Sequence, residues 1–227
     1  MPYFKTTKIN LLYIHIPKTG GMSVEQYFYE KYKIPKTYKT AYGYSHPDID
    51  FKVLFEKDQE FTLQHLTYQK YCKYGYLFDL DILDTNLNII TTVRNPYERI
   101  ISDMFFFVVQ TNITIDSTKK DIEDAIRLYL NRTDYDYDNH RLPQYKFLID
   151  EDGNIPRNVV ILKTEILRQE MQDVGFLDFN YNENKNRIGK KIDYFYLLTN
   201  ESIHMINDFY DLDFKYFGYT KIGENKI

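Results

Sequence analysis

The chain has 227 residues, of which 43% are hydrophobic and 27% are charged, and its formal net charge is −4. This length suits one domain, so we expect residues 1–227 to fold as a single unit. The composition is typical of a soluble globular protein, and the apolar content is enough for a core. The acidic balance argues against nucleic acid as the partner, because nucleic-acid-binding domains usually carry a basic excess.

Two further observations predict where the chain works. Cys72 is the single cysteine, which excludes an intramolecular disulfide, and nothing indicates an oxidising compartment. The polar N-terminal segment has no signal-peptide core, and no apolar run approaches the ~20 residues needed to cross a bilayer. We therefore expect a soluble, cytoplasmic protein without a membrane anchor in this chain.

Buried strands alternate with helices along the first two thirds of the chain. The apolar run at 9–16 (INLLYIHI) is typical of a central parallel strand, and helical spacing follows from near Met22. A second strand is predicted at 87–93, with Pro96 in the first turn of the next helix. A third strand is predicted at 158–163.

The C-terminal third continues the same pattern. Thr164 is placed to cap the helix after the third strand, and Ile203, Ile206 and Tyr210 are spaced as one apolar helix face. Strands that alternate with helices predict an α/β fold with a central parallel sheet flanked by helices.

Residues 14–23 (IHIPKTGGMS) join the first predicted strand to the first helix. Backbone N–H groups from Thr19 to Ser23, together with the helix dipole, can bind an anion there. In the common nucleotide loop GxxxxGK[ST] the lysine follows the glycines, whereas here Lys18 precedes them. The loop is therefore predicted to bind a phosphate, with the lysine approaching from the strand side.

The second strand leads into VRNPYERIIS, which begins with Val93 and Arg94. Kinases and ATPases typically place an acidic metal ligand at this position, but Arg94 brings a fixed positive charge that forms forked bonds with phosphate oxygens. Ser102 lies within about 8 Å of the start of the next helix, at 1.5 Å per residue, and could share that phosphate. The sequence thus predicts a site for two separate phosphate groups and no metal.

The loop and the Arg94 segment resemble the 5′-phosphosulfate loop and the 3′-phosphate motif of the sulfotransferases. The resemblance is closest to the Golgi carbohydrate branch, which includes the heparan sulfate and chondroitin enzymes, and it continues at 64–71, 140–154, 161–167 and 194–219. It implies a single sulfotransferase domain with a P-loop-like three-layer fold. The implied reaction moves the sulfuryl group of 3′-phosphoadenosine 5′-phosphosulfate (PAPS) to a carbohydrate hydroxyl.

The chain departs from that branch in two respects. Met22 stands where the family often has threonine, which removes one hydroxyl contact to the phosphosulfate. The Golgi enzymes carry an N-terminal anchor and stem, whereas this sequence starts almost directly at its first strand. The resemblance therefore does not imply a luminal location.

The resemblance also implies roles for individual residues. Lys18 would neutralise charge on the leaving 5′-phosphate, and His65 stands where this branch places a catalytic histidine, so it is the predicted general base. His140 is a candidate contact to the acceptor, or it closes a turn before Pro143. The basic loop at 182–191 would close over the nucleotide, or it is a plain solvated loop. The predicted nucleotide-binding residues are Lys18, Thr19, Gly20, Gly21, Met22, Ser23, Arg94, Ser102 and Lys190.

The remaining charged residues near these motifs have plainer interpretations. Arg99 could help the anion site, but it is expected to form an ion pair on its helix, and Glu98 is expected to be solvated. His15 is expected to pack against or orient a neighbour of the loop. His46 and His204 are expected to be structural.

Other functions remain open at this level. A small-molecule kinase would need magnesium and an acidic ligand, which Arg94 disfavours. A non-catalytic nucleotide- or glycan-binding module could keep the same fold without turnover. Sulfation of protein tyrosine is a further alternative, although the HxxPQ segment at His140 resembles the carbohydrate branch.

Overall fold

Four strands form one sheet in the computed structural model, which describes residues 2–35, 63–107, 111–132, 138–180 and 195–223. In these ranges the sheet order is β1-β2-β3-β4, with β2, β3 and β4 parallel to one another and β1 antiparallel to β2. The mixed α/β class and the three predicted strands are confirmed; the short edge strand β1 was not predicted. The strands are β1 (Tyr3–Lys5), β2 (Asn10–Ile14), β3 (Asn88–Val93) and β4 (Val159–Lys163).

Seven α-helices accompany the sheet in the described part of the chain. The first begins at Gly21, next to the predicted start, and the third carries Pro96 in its first turn as predicted. The fourth is stabilised by a capping box and was not predicted. The helices are α1 (Gly21–Tyr32), α2 (Tyr68–Tyr74), α3 (Pro96–Phe106), α4 (Lys119–Asn131), α5 (Leu167–Asp173), α6 (Asn200–Phe209) and α7 (Asp211–Phe217).

Side chains on both faces of the sheet are buried, as the apolar runs predict for parallel strands. Leu12 and Ile14 of β2 belong to a core cluster that contains residues of α2. Leu11 and Tyr13, which alternate with them, belong to a second cluster that contains residues of α1 and α5. A third cluster joins α3, α4, α6 and α7. The sheet is therefore held from both faces, which fixes the strand ends.

The register of the parallel strands brings three connecting segments together at the carboxyl ends of β2, β3 and β4. Ile14 of β2 pairs with Thr91 of β3, and Val93 of β3 pairs with Lys163 of β4. The chain thus leaves the sheet at these ends into the 15–20 loop, the Arg94 segment and Thr164. Ligands of open α/β sheets usually bind at the carboxyl ends of the strands.

The cap predicted at Thr164 is wrong. Helix α5 begins at Leu167, and Thr164 opens a short 3₁₀ turn instead. Its hydroxyl lies 2.6 Å from the carbonyl oxygen of Thr19 and 3.0 Å from that of Val93, within hydrogen-bonding distance of both. Thr164 therefore fastens the neighbouring loop rather than a helix end.

None of the helices in the described ranges is long and apolar enough to span a bilayer.

Candidate functional site

The loop after β2 turns sharply into the N-terminus of α1. Lys18 has a φ of 66° and Gly20, the N-cap residue, a φ of 86°, so both adopt the left-handed conformation. Glycine reaches this region without strain. Because Gly20 has no side chain, no side-chain cap covers the N–H groups of the first turn. The Ser23 N–H donates to the Gly20 carbonyl at 3.0 Å, and the positive end of the helix dipole at this terminus would stabilise an anion.

Thr19 anchors the loop to the sheet. Its fully buried hydroxyl donates to the Ile16 carbonyl at 2.8 Å and lies 2.8 Å from the Thr92 hydroxyl of β3. This hydroxyl is engaged within the protein, so the contribution of Thr19 to an anion site is its backbone N–H. Met22 is 55% exposed and Ser23 is half-buried at the same helix start.

Arg94 lies beside the loop. Its Nη1 donates to the Lys18 carbonyl at 3.4 Å, and its Nε and Nη2 donate to Glu98 Oε2 at 3.2 and 3.0 Å. Gln144 pairs with the Arg94 backbone through both amide atoms, at 2.8 and 2.9 Å. The structure therefore brings Lys18 and Arg94 together at the carboxyl ends of the parallel strands.

The expectation that Glu98 is solvated is wrong, because its carboxylate pairs with the Arg94 guanidinium and its side chain is only 23% exposed. Ser102 lies one helical turn beyond Glu98 on α3 and is half-buried. Residues four apart share a helix face, so Ser102 is on the side of α3 that carries the Arg94 partner.

Arg99 is buried, with 2% of its surface exposed. Its guanidinium donates to the carbonyl groups of Pro17 at 3.1 Å, Leu142 at 3.0 Å and His140 at 2.6 Å. The predicted helix ion pair is wrong, because in the described ranges the guanidinium of Arg99 donates its hydrogen bonds to backbone carbonyl groups and not to a carboxylate. Arg99 instead ties the loop to the segment that contains His140.

His65 lies next to this loop, in a 3₁₀ turn at Leu63–His65. Its Nδ1 is 2.8 Å from Asp138 Oδ2, and its ring is edge-to-face with those of His15 and His140, at centroid distances of 5.2 and 5.1 Å. Burial lowers the pKa of His65, and the Asp138 carboxylate only partly offsets this. The imidazole is therefore neutral at neutral pH and can accept a proton.

An aromatic ring connects Lys18 to this group of histidines. The Lys18 ammonium lies 4.2 Å from the centroid of the Phe106 ring, and Phe106 stacks on His140 with centroids 5.2 Å apart. His140 Nδ1 lies 2.7 Å from Asp103 Oδ1, and burial lowers the pKa of His140 despite that carboxylate. The loop lysine, His140 and His65 thus form one continuous set of contacts.

Other candidates lie elsewhere. Lys190, its basic loop and His46 are outside the described residues, while His204 is exposed on α6. His15, expected to orient a neighbour, is paired through Nδ1 with Glu25 of α1.

Sequence reasoning missed Glu25, Phe106, Asp138 and Gln144. Asp138 lies in the polar tract 133–140, whose composition is typical of a solvated loop and does not indicate a partner for His65. The HxxPQ motif containing Gln144 was noticed, but its bond to Arg94 has no local signal.

Within the described ranges, no three His, Cys, Asp or Glu side chains are arranged to hold a metal ion.

No curated protein and no solved structure matches this chain. The model of the sulfotransferase family matches residues 1–220, which is nearly the whole sequence. The chain therefore belongs to the sulfotransferase family.

Proposed function

We propose that this protein transfers the sulfuryl group of PAPS to a hydroxyl of a carbohydrate acceptor, in line and without a metal. Residues 1–227 would form one domain with the P-loop-like three-layer arrangement of these enzymes. The observation that carries the proposal is the hydrogen bond from the Arg94 guanidinium to the Lys18 carbonyl. It lies at the carboxyl ends of the parallel strands, beside the N-terminus of α1.

Two parts of the site would bind the two ends of the nucleotide. The N–H groups of residues 19–22, the Lys18 ammonium and the Ser23 hydroxyl suit the 5′-phosphosulfate. Arg94 and the Ser102 hydroxyl suit the 3′-phosphate, with Lys190 as a further cation from the basic loop. The Arg94 guanidinium already contacts Glu98, so a bound phosphate would share it or displace that carboxylate.

His65 is the proposed general base. Donation of its Nδ1–H to Asp138 puts the basic lone pair on Nε2, and the same carboxylate stabilises the imidazolium that forms. The acceptor oxygen bonds to sulfur as its proton passes to Nε2, while the bond from sulfur to the 5′-phosphate oxygen breaks. Lys18 neutralises the charge that develops on that phosphate.

The carbohydrate acceptor rests on sequence resemblance around His65 and His140. His140 is itself only 5% exposed, so its proposed contact with the acceptor would be at its ring edge. Transfer from labelled PAPS to a panel of glycans, with a tyrosine peptide in parallel, tests the acceptor class. Sulfation of the peptide alone would contradict it.

Two substitutions test the chemistry. Lys18→Met and His65→Ala are each expected to lower kcat by at least about 10²-fold, since general bases and preorganised charges contribute on that scale. Matched controls are Lys8→Met and His204→Ala, which change exposed residues. Lys8 precedes β2, at the opposite end of that strand from Lys18. Full activity in the Lys18 variant would contradict the assignment.

The alternatives give different results in the same assays. A kinase would consume ATP with magnesium and be inhibited by a chelator, whereas the proposed reaction continues with a chelator present. A binding module would bind PAPS and transfer to no acceptor.

A further inference from the structure

The buried carboxylate of Glu25 joins two segments of the site. Its Oε1 atom accepts from His15 Nδ1 and, at 2.8 Å, from Gln64 Nε2. His15 directly follows β2 and leads into the phosphate loop, while Gln64 immediately precedes His65 in its 3₁₀ turn. One oxygen of Glu25 thus contacts both His15, which leads into the phosphate loop, and Gln64, which precedes the proposed base His65.

His15 fills the space between these segments. A Cβ atom on Gly21 would lie 2.5 Å from His15 Nε2, so the first residue of α1 packs directly on this imidazole. The same ring meets the His65 ring edge-to-face at 5.2 Å. A displacement of His15 would therefore change the positions of both the loop and His65.

The environment keeps Glu25 charged. Burial raises the pKa of its carboxyl, but the electrostatic interaction with His15 and the hydrogen bonds from His15 and Gln64 outweigh burial and hold the pKa below its ordinary value. Charge-assisted hydrogen bonds are about twice as strong as neutral ones.

We infer that Glu25 is a positioning residue, whose carboxylate sets the distance between the phosphosulfate loop and the base His65 by holding His15 and Gln64 together. This inference rests on the proposed function of those two elements. Glu25 acts through His15 and Gln64 and has no contact of its own with the reacting atoms in this account.

Three variants test the role. Glu25→Met removes the shared acceptor, and we expect kcat to fall by about 10²-fold, the effect of a misplacement of about 1 Å. Glu25→Gln keeps an Oε1 atom in the same place and should recover most of that loss. Gln64→Met removes only the bond to the base side, so it should lower kcat while KM for PAPS stays within about threefold.

The matched control is Glu123→Met. Glu123 is a buried carboxylate on α4 that accepts from Thr199 at 2.7 Å, remote from the loop. Its loss is expected to lower stability with kcat unchanged. A Gln64→Met enzyme with unchanged kcat, or equal losses in Glu25→Gln and Glu25→Met, would overturn the inference.

A measurement without turnover separates this inference from the proposed function. The ¹⁵N signals of His65 in histidine-labelled protein should shift in Gln64→Met and in Glu25→Met, but not in Glu123→Met. Unchanged His65 signals in Gln64→Met would refute the positioning role. If wild-type protein transfers nothing to any acceptor while these shifts appear, the proposed function fails and the positioning role stands.

Discussion

Gly21 shows how tightly the loop is packed at the residue scale. An alanine here would place its Cβ 2.5 Å from His15 Nε2, closer than non-bonded atoms approach. We expect Gly21→Ala to lower the free energy of unfolding by about 1–3 kcal/mol, the usual range for overpacking, and to reduce transfer by displacing His15.

Met22→Ala is the control for Gly21→Ala, because Met22 is the next residue and is 55% exposed. Urea unfolding should show a change within about 0.5 kcal/mol for this variant. Equal stability of Gly21→Ala and wild type would contradict the close packing of Gly21 against His15.

The two histidines with lowered pKa values predict how stability depends on pH. Burial lowers the pKa of His65 and of His140 below the ordinary value of about 6.5. Below that value the unfolded chain binds more protons than the folded one, so stability falls as pH drops from about 7 towards 5. Above pH 7 both states are neutral at these positions and the effect vanishes.

Urea unfolding at a series of pH values measures this dependence. His65→Asn should flatten the curve between about pH 7 and 5, since one of the two titrating groups is gone. The exposed His204 gives the control variant His204→Asn, which should leave the slope unchanged. A stability that rises on acidification through this window would contradict the burial of both imidazoles.

At the scale of elements, Arg99 holds α3 against the loop and the His140 segment. Its three hydrogen bonds go to carbonyl groups of Pro17, Leu142 and His140. Arg99→Met leaves these buried acceptors without their donor, and we expect a loss of about 3 kcal/mol or more in the free energy of unfolding.

The control for Arg99→Met is Arg127→Met on α4. Arg127 is 44% exposed at its side chain and pairs with Glu123 and Glu201. Exposed ion pairs contribute about 0–1 kcal/mol, so calorimetric unfolding should change little. Similar losses in the two variants would mean that Arg99 is not the tie between these elements.

Local pattern was enough to predict the elements that carry the site. Apolar runs identified β2, β3 and β4, and Pro96 marked the start of α3. Since parallel strands end at the same sheet edge, the neighbourhood of Lys18 and Arg94 followed from the order of the strands. The edge strand β1 was missed because three residues give too short a pattern.

At the scale of the whole molecule, the contacts that organise the site are long-range and have no local signature. Asp138 meets His65 across 73 positions of sequence, and Gln64 meets Glu25 across 39. The cap predicted at Thr164 was wrong for the same reason, since its hydroxyl lies against the carbonyl of Thr19 in a different segment. A sequence motif can indicate which histidine is the candidate base. The carboxylate that pairs with that histidine depends on the tertiary fold and cannot be identified from the local sequence.

The most direct test of the central claim is a crystal structure with adenosine 3′,5′-bisphosphate, the spent nucleotide. We predict that the 5′-phosphate lies on the N–H groups of residues 19–22 and on Lys18, and that the 3′-phosphate lies on Arg94 and Ser102. A nucleotide bound elsewhere on the protein, or no binding at millimolar concentration, would contradict the claim that one strand edge holds both phosphates.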